Sequence, residues 1–292
     1  MDLKRAENLK NEADKIIKKF IYIGSNRYED ASEKYNAASN IYKAKKEYQN
    51  AIQCMNNELG CYIKLNDAIK INQIHINLGN IYKNLDKEKS LYYFSKVEKY
   101  YDEIGKFEKL VKIYGEMASI YEDINNYEKA VEYFKKASEI LQFENQKLAA
   151  VRYYEKIVDI YILTSKYSDA AQTLQNIIEL MCDQKSYFST KYIFKYLVCQ
   201  MVLHSQSNEM EYYTKELDKV TNVHTIFNNS SEQILLQSLQ RAYVNNNNNE
   251  YSRLLKEYDY YKKLDHVVVK LFLDIKKELD DINNLHEELD LT

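Results

Sequence analysis

Apolar residues recur at spacings of three and four, the period of a helix with one buried face. Leu110, Ile113, Tyr114, Met117, Ile120 and Tyr121 fall on one such face. A short polar turn, Asp123 to Asn126, follows, and a second helix is predicted from Tyr127, with Ala130, Val131, Phe134 and Ala137 aligned. This helical hairpin returns along the chain. Ile41-Tyr42, Ile81-Tyr82, Ile120-Tyr121 and Ile160-Tyr161 are separated, tyrosine to tyrosine, by 40, 39 and 40 residues. Six residues after three of these tyrosines stand Tyr48, Tyr127 and Tyr167, and three further on Ala51, Ala130 and Ala170. The second repeat breaks the rule, with Glu88 and Leu91 at those places. The small alanine lets the two helices approach, and the tyrosine fills the groove beside it. One hairpin cannot bury its apolar stripe alone, so the hairpins must stack.

The periodicity blurs after about residue 185. Helical stripes continue through Tyr192, Tyr196, Cys199 and Val202, with turns at Ser205–Asn208 and Asn228–Ser231 and a polar loop at Asn245–Asn249. A final helix is predicted from Leu264 to Leu279, apolar on most sides and therefore buried. The expected architecture is all-α: tetratricopeptide-like helical-hairpin repeats stacked into a twisted rod over residues 1–227, closed by a C-terminal helical bundle and acidic tail over 228–292.

Composition supports this class. Proline is absent and there are 5 glycines among 292 residues, too few for the turns of a sandwich or an α/β fold. The net charge of −3 argues against a dedicated nucleic-acid binder. Cys54, Cys61, Cys182 and Cys199 form no Cys-x-x-Cys pair, which fits a reduced, cytosolic chain. The histidines are scattered, and no metal site is expected. The charged N-terminus is no signal peptide, and no stretch is apolar enough to span a membrane. There is no phosphate-binding glycine loop and no nucleophile elbow, and the carboxylates fall on faces predicted to be exposed. Neither an enzyme nor a cofactor is expected; stacked hairpins bind proteins along a concave surface.

Five segments sharpen the reading. Tyr101-Asp102-Glu103-Ile104-Gly105-Lys106-Phe107 resembles the segment that joins two hairpins in the soluble NSF attachment proteins. Glu257-Tyr258-Asp259, then Lys263-Leu264-Asp265 and Ile275-Lys276-Lys277, resemble the family's cap, and the ending Asp290-Leu291-Thr292 keeps its penultimate leucine. The chain looks closer to the alpha/beta branch of that family than to gamma.

The resemblance implies an adaptor without chemistry of its own. Several copies, monomeric when free, would hold an assembled SNARE four-helix bundle and present it to the NSF hexamer. That ATPase would then disassemble the SNAREs for vesicle fusion and intracellular protein transport, ER–Golgi traffic included. The protein would be cytoplasmic and peripherally associated with membranes. Its basic concave face would include Lys83, Lys106, Lys112 and Arg152, with Lys147 and Lys156 nearby. The N-terminal loop, Phe20-Ile21-Tyr22-Ile23, would touch membrane, helped by Lys15, Lys18 and Lys19. Glu287, Glu288, Asp290 and Leu291 would engage NSF. Read without the resemblance, the lysines are solvated surface, Phe20–Ile23 staple two helices together, and the tail is frayed. Acidic residues that relatives carry near His204 and Arg241 are missing here. The alternative function is a generic tetratricopeptide-type scaffold that holds peptide tails of other proteins.

Overall fold

The computed structural model describes residues 2–19, 26–181 and 188–290, with backbone alone for Phe188 and 283–290. The described residues are helical throughout, with no strand. They form two compact units, Met1–Tyr133 and Phe134–Thr292, and the division falls inside one helix.

The first unit opens with α1 (Asp2–Lys18), α2 (Arg27–Ala44) and α3 (Tyr48–Leu65). It continues with α4 (Ala68–Tyr82), α5 (Lys87–Glu103), α6 (Phe107–Asp123) and the start of α7 (Tyr127–Phe143). Links of two to four residues join most of these helices, so successive helices are antiparallel neighbours. α1 lies on α2 and α3 through Ala6 and Ala13, which meet Ala38, Tyr42, Ala31 and Tyr35. Ile52, Met55, Ile74 and Leu78 join α3 to α4. Phe94, Val97, Ile113, Met117 and Ile120 join α5 to α6. Tyr133 stacks on Tyr121, with ring centroids 5.6 Å apart, as Tyr93 stacks on Tyr82 at the same distance. Of the tyrosines that open the second helices, Tyr167 is buried as expected and Tyr127 is only half-buried. Tyr48 is an exception: it is exposed.

The Ile-Tyr repeat has a backbone cause. After Tyr42, Tyr121 and Tyr161 the chain turns through one left-handed residue, Lys46, Asn125 or Ser165. The next N–H then reaches back five residues: Glu47 to the Tyr42 carbonyl at 2.9 Å, Asn126 to Tyr121 at 2.9 Å, Lys166 to Tyr161 at 2.8 Å. This is the Schellman closure, which satisfies carbonyls orphaned at a helix end. The tyrosine thus sits at a fixed distance from each turn.

The second repeat departs at the turn and not in the helix. α5 begins five residues after Tyr82, where α3, α7 and α9 (Tyr167–Leu180) begin six after their tyrosines. The 39-residue step follows from that one missing residue. Counted from the start of its own helix, Ser90 stands where Ala51, Ala130 and Ala170 stand, and all four are buried. Ser90 Oγ donates to the Gly79 carbonyl at 2.7 Å. A side chain on Gly79 would meet the Phe94 ring at 2.9 Å, so the close approach there requires glycine.

The second unit contains the rest of α7, then α8 (Lys147–Leu163), α9, α10 (Phe188–Gln206) and α11 (Met210–Val223). It ends with α12 (Ser231–Val244), α13 (Asn248–Tyr261) and α14 (His266–Asp290). α14 returns to pack on α8 and α10. Its Val267, Val268, Leu271, Phe272, Ile275 and Leu279 are buried. Val269 and Leu273 are exposed, so the helix is amphipathic and not apolar on most sides. Lys270 Nζ donates to Asp274 at 2.8 Å and to the Tyr167 hydroxyl at 2.8 Å, fastening α14 to the α8–α9 turn.

Candidate functional site

The first helices of the hairpins, α2, α4, α6 and α8, repeat their register, so equivalent surface positions can be read from one to the next. Lys112 of α6 and Arg152 of α8 occupy the same position, five residues into their helices. Glu116 and Lys156 share the next position, one turn on. Positions four apart lie on one face.

In the first unit two of these cations have acidic partners. Lys83, just past α4, is ion-paired with Glu116. Lys112 lies 3.9 Å from Glu108 on its own helix. Lys106 is exposed at the N-terminus of α6 and gives no side-chain cap there. Lys109 and Lys112 are both exposed, three residues apart.

In the second unit the balance differs. Arg152 and Lys156 are exposed and make no ion pair among the described residues. The carboxylates of the same helix are taken by α10. Lys191 reaches Glu155 at 2.6 Å, and the Tyr192 hydroxyl donates to Glu155 at 3.0 Å. Lys195 lies 3.4 Å from Asp159 and 2.9 Å from Asp265. Burial pushes the Asp159 carboxyl above its usual range, against the pull of Lys195. Asp265 is held below its usual range: its burial is outweighed by the Val268 N–H and Lys195. These groups border a cavity of about 250 Å³, also lined by Glu232, Tyr258 and Lys262. Lys147, the first residue of α8, is half-buried.

The structure thus pairs Lys83 with Glu116, sets Lys112 beside Glu108, and leaves Arg152 and Lys156 exposed one turn apart on α8. Sequence reading missed Glu116, Lys191 and Lys195, which decide which cations are available. The four-residue spacing of Glu108, Lys112 and Glu116 was a readable signal for part of this. Phe20–Ile23 and Leu291 lie outside the described residues. Glu287, Glu288 and Asp290 lie on α14, where the backbone alone is described.

Other chemistry is sparse. No group of three or more His, Cys, Asp or Glu could hold a metal among the described residues. Cys54, Cys61 and Cys199 are free and buried, and burial pushes the first two up to about 11 and the third to about 12. Not every carboxylate is exposed: Glu58 and Glu232 are buried, Glu58 accepting from Asn36 at 3.0 Å. No described helix is long and apolar enough to cross a membrane.

The sequence profile described as "Soluble NSF attachment protein, SNAP" matches residues 4–280. The chain belongs to the SNAP family. The beta-soluble NSF attachment protein of Bos taurus is 23% identical over 285 residues, covering 94% of each chain. Among solved structures, the apo form of RapI is similar at 15% identity with a TM-score of 0.51, covering 95% of this SNAP-family chain and 81% of that one. The crystal structure of BtubC from P. vanneervenii is similar at 14% identity and a TM-score of 0.45, covering 78% of this chain and 92% of that one. At 15% identity the likeness to RapI bears on fold alone.

Proposed function

We propose that this chain is an adaptor that seats an assembled SNARE bundle against the exposed face of its first helices and presents it to the NSF ATPase for disassembly. Family membership across residues 4–280 supports the class of role. The observation that carries the binding face is the open pair Arg152 and Lys156, whose neighbouring acids are already neutralised by α10. Lys83, Lys106 and Lys112 in the first unit and Lys147 in the second are further basic positions for SNARE contact. Each exposed pair contributes about 0.2–1 kcal/mol, so affinity depends on several contacts and several copies. Residues 228–292 serve as cap and tail, with Glu287, Glu288, Asp290 and Leu291 meeting NSF. Phe20–Ile23 brings the cytoplasmic protein to the membrane surface. The chain supplies no catalysis, and the work of unwinding comes from the partner.

The test is the ATPase rate of NSF on surface-captured SNARE complex, with the full chain and with a version lacking Leu291 and Thr292. Stimulation by the full chain, lost on truncation, is expected. Equal stimulation by both would keep the adaptor and remove Leu291 from its site. Absent stimulation together with absent SNARE binding would leave a generic helical scaffold.

A further inference from the structure

The cavity of the second unit is bordered by α8, α9, α10, the start of α12 and the link between α13 and α14. Part of its lining is apolar: Val158 of α8, Leu174 and Ile177 of α9, and Val268 of α14. Phe194 and Tyr258 line it too, with ring centroids 6.2 Å apart. At about 250 Å³ it is smaller than most ligand sites, which run from about 300 to 1,000 Å³, so it suits a small occupant.

The charges in this lining do not balance. The acids are Glu155, Asp159, Glu232 and Asp265. Lys191 serves Glu155 and Lys262 serves Glu232, whereas Lys195 serves both Asp159 and Asp265. The remaining lysine of the lining, Lys263, is paired at 3.5 Å with Asp259, which does not border the cavity. One acid is therefore a cation short.

Hydrogen bonds identify which. Glu155 accepts from Lys191 at 2.6 Å and from the Tyr192 hydroxyl at 3.0 Å. Asp265 accepts from the Val268 N–H at 2.8 Å and lies 2.9 Å from Lys195. Glu232 accepts from Lys262 and from the Ser231 hydroxyl at 3.0 Å. Asp159 has a single donor among the described residues, Lys195 at 3.4 Å. Charge-assisted bonds of this kind ordinarily run about 2.7–2.9 Å, and a carboxylate has sites for about four. The Asp159 side chain is 35% exposed, so a ligand can reach it. The missing cation is not a metal ion, because no group of three or more His, Cys, Asp or Glu could hold one among the described residues. An ammonium group needs only one carboxylate. The apolar lining receives the hydrocarbon that carries it, and aromatic rings favour both a stacked ring and a nearby positive charge.

We propose that this cavity binds a small arylalkylamine, its ammonium donating to Asp159 and its ring lying among Val158, Ile177, Phe194 and Tyr258. The inference does not depend on the adaptor role.

Calorimetric titration of the full chain with phenethylamine tests it. Saturable one-site binding is expected. 3-Phenylpropionate, which exchanges the ammonium for a carboxylate, and ethylamine, which lacks the ring, should each bind at least about tenfold more weakly. Asp159→Asn is expected to weaken phenethylamine by about tenfold or more. Glu179→Gln removes an exposed acid of α9 that does not border the cavity and should match wild type, with circular dichroism showing that both variants are folded. In wild type the amide resonances of Leu174, Phe194, Leu264 and Val268 should shift on titration, which locates the site without any substitution. Absence of saturation in wild type would overturn the proposal. So would unchanged affinity in Asp159→Asn, binding of 3-phenylpropionate as tight as that of phenethylamine, or resonance shifts confined to residues away from the cavity.

Discussion

Lys83 is ion-paired across two helices with Glu116, which stands one turn beyond Lys112 on α6. The acid therefore competes with any acidic ligand that Lys83 would meet. Glu116→Gln is expected to raise affinity for a SNARE bundle by about two- to fivefold at low salt, the worth of one exposed pair. Arg152→Ala with Lys156→Ala should cost more than Lys83→Ala, because those two cations need not first leave a partner. Calorimetric titration at two salt concentrations checks both, since screening should shrink each difference. A Glu116→Gln protein with unchanged or weaker binding would place the ligand elsewhere.

The Gly79–Ser90 contact makes a stability prediction. In Gly79→Ala the new methyl meets the buried Phe94 ring, and such overpacking costs about 1–3 kcal/mol. The gain in helix propensity, up to about 1 kcal/mol, returns part of it. Urea unfolding should show net destabilisation. Ser90→Ala should cost about 1 kcal/mol through one lost buried hydrogen bond. A stabilised Gly79→Ala protein would mean that the helices do not meet as closely as described.

Lys46 and Ser165 hold left-handed backbone without being glycine or asparagine. That conformation costs an ordinary residue about 1–2 kcal/mol. Lys46→Gly should raise the unfolding free energy by about 1 kcal/mol once glycine's unfolded-state entropy is counted, and Ser165→Gly should gain less, because the Ser165 hydroxyl accepts from Lys270 and from Tyr167, each at 3.1 Å. Thermal melting of single and double variants measures this, and the two sites should add, standing in different units.

Asp159 and Asp265 share Lys195, yet their carboxyls shift in opposite directions. Asp265 is depressed, so its stabilisation is present above the ordinary carboxylate range and is lost as pH falls through its folded value. Asp159 is raised, so the folded state disfavours its charge once pH exceeds the unfolded value. At neutral pH, Asp265→Asn should destabilise by about 1 kcal/mol or less. Asp159→Asn should be neutral or slightly stabilising, because Asp265 still faces Lys195. Denaturant midpoints at neutral and acidic pH decide it. Equal losses from both substitutions would mean that Lys195 requires two counter-charges.

The hairpins were legible because two local rules coincide, helical periodicity and a turn at a fixed distance from each tyrosine. The break at Glu88 and Leu91 was visible but not its reason. A residue missing from a turn and a shifted helix pattern look alike until Ser90 is seen buried in the alanine's place. The exposed face of α14 was not legible either, since Val269 and Leu273 read as core beside Val268 and Phe272. At the candidate face, basic residues could be picked out. Which of them are free could not, because Glu155 is neutralised by Lys191, 36 positions away in sequence.

The shortened turn after Tyr82 leaves every helix in place, although a chain counted in strict steps of forty falls out of phase there. The molecule keeps time by helices and not by residues. Its turns act as slack between fixed parts, so a reporter or a short tag threaded into one would travel with the protein and leave the stack undisturbed.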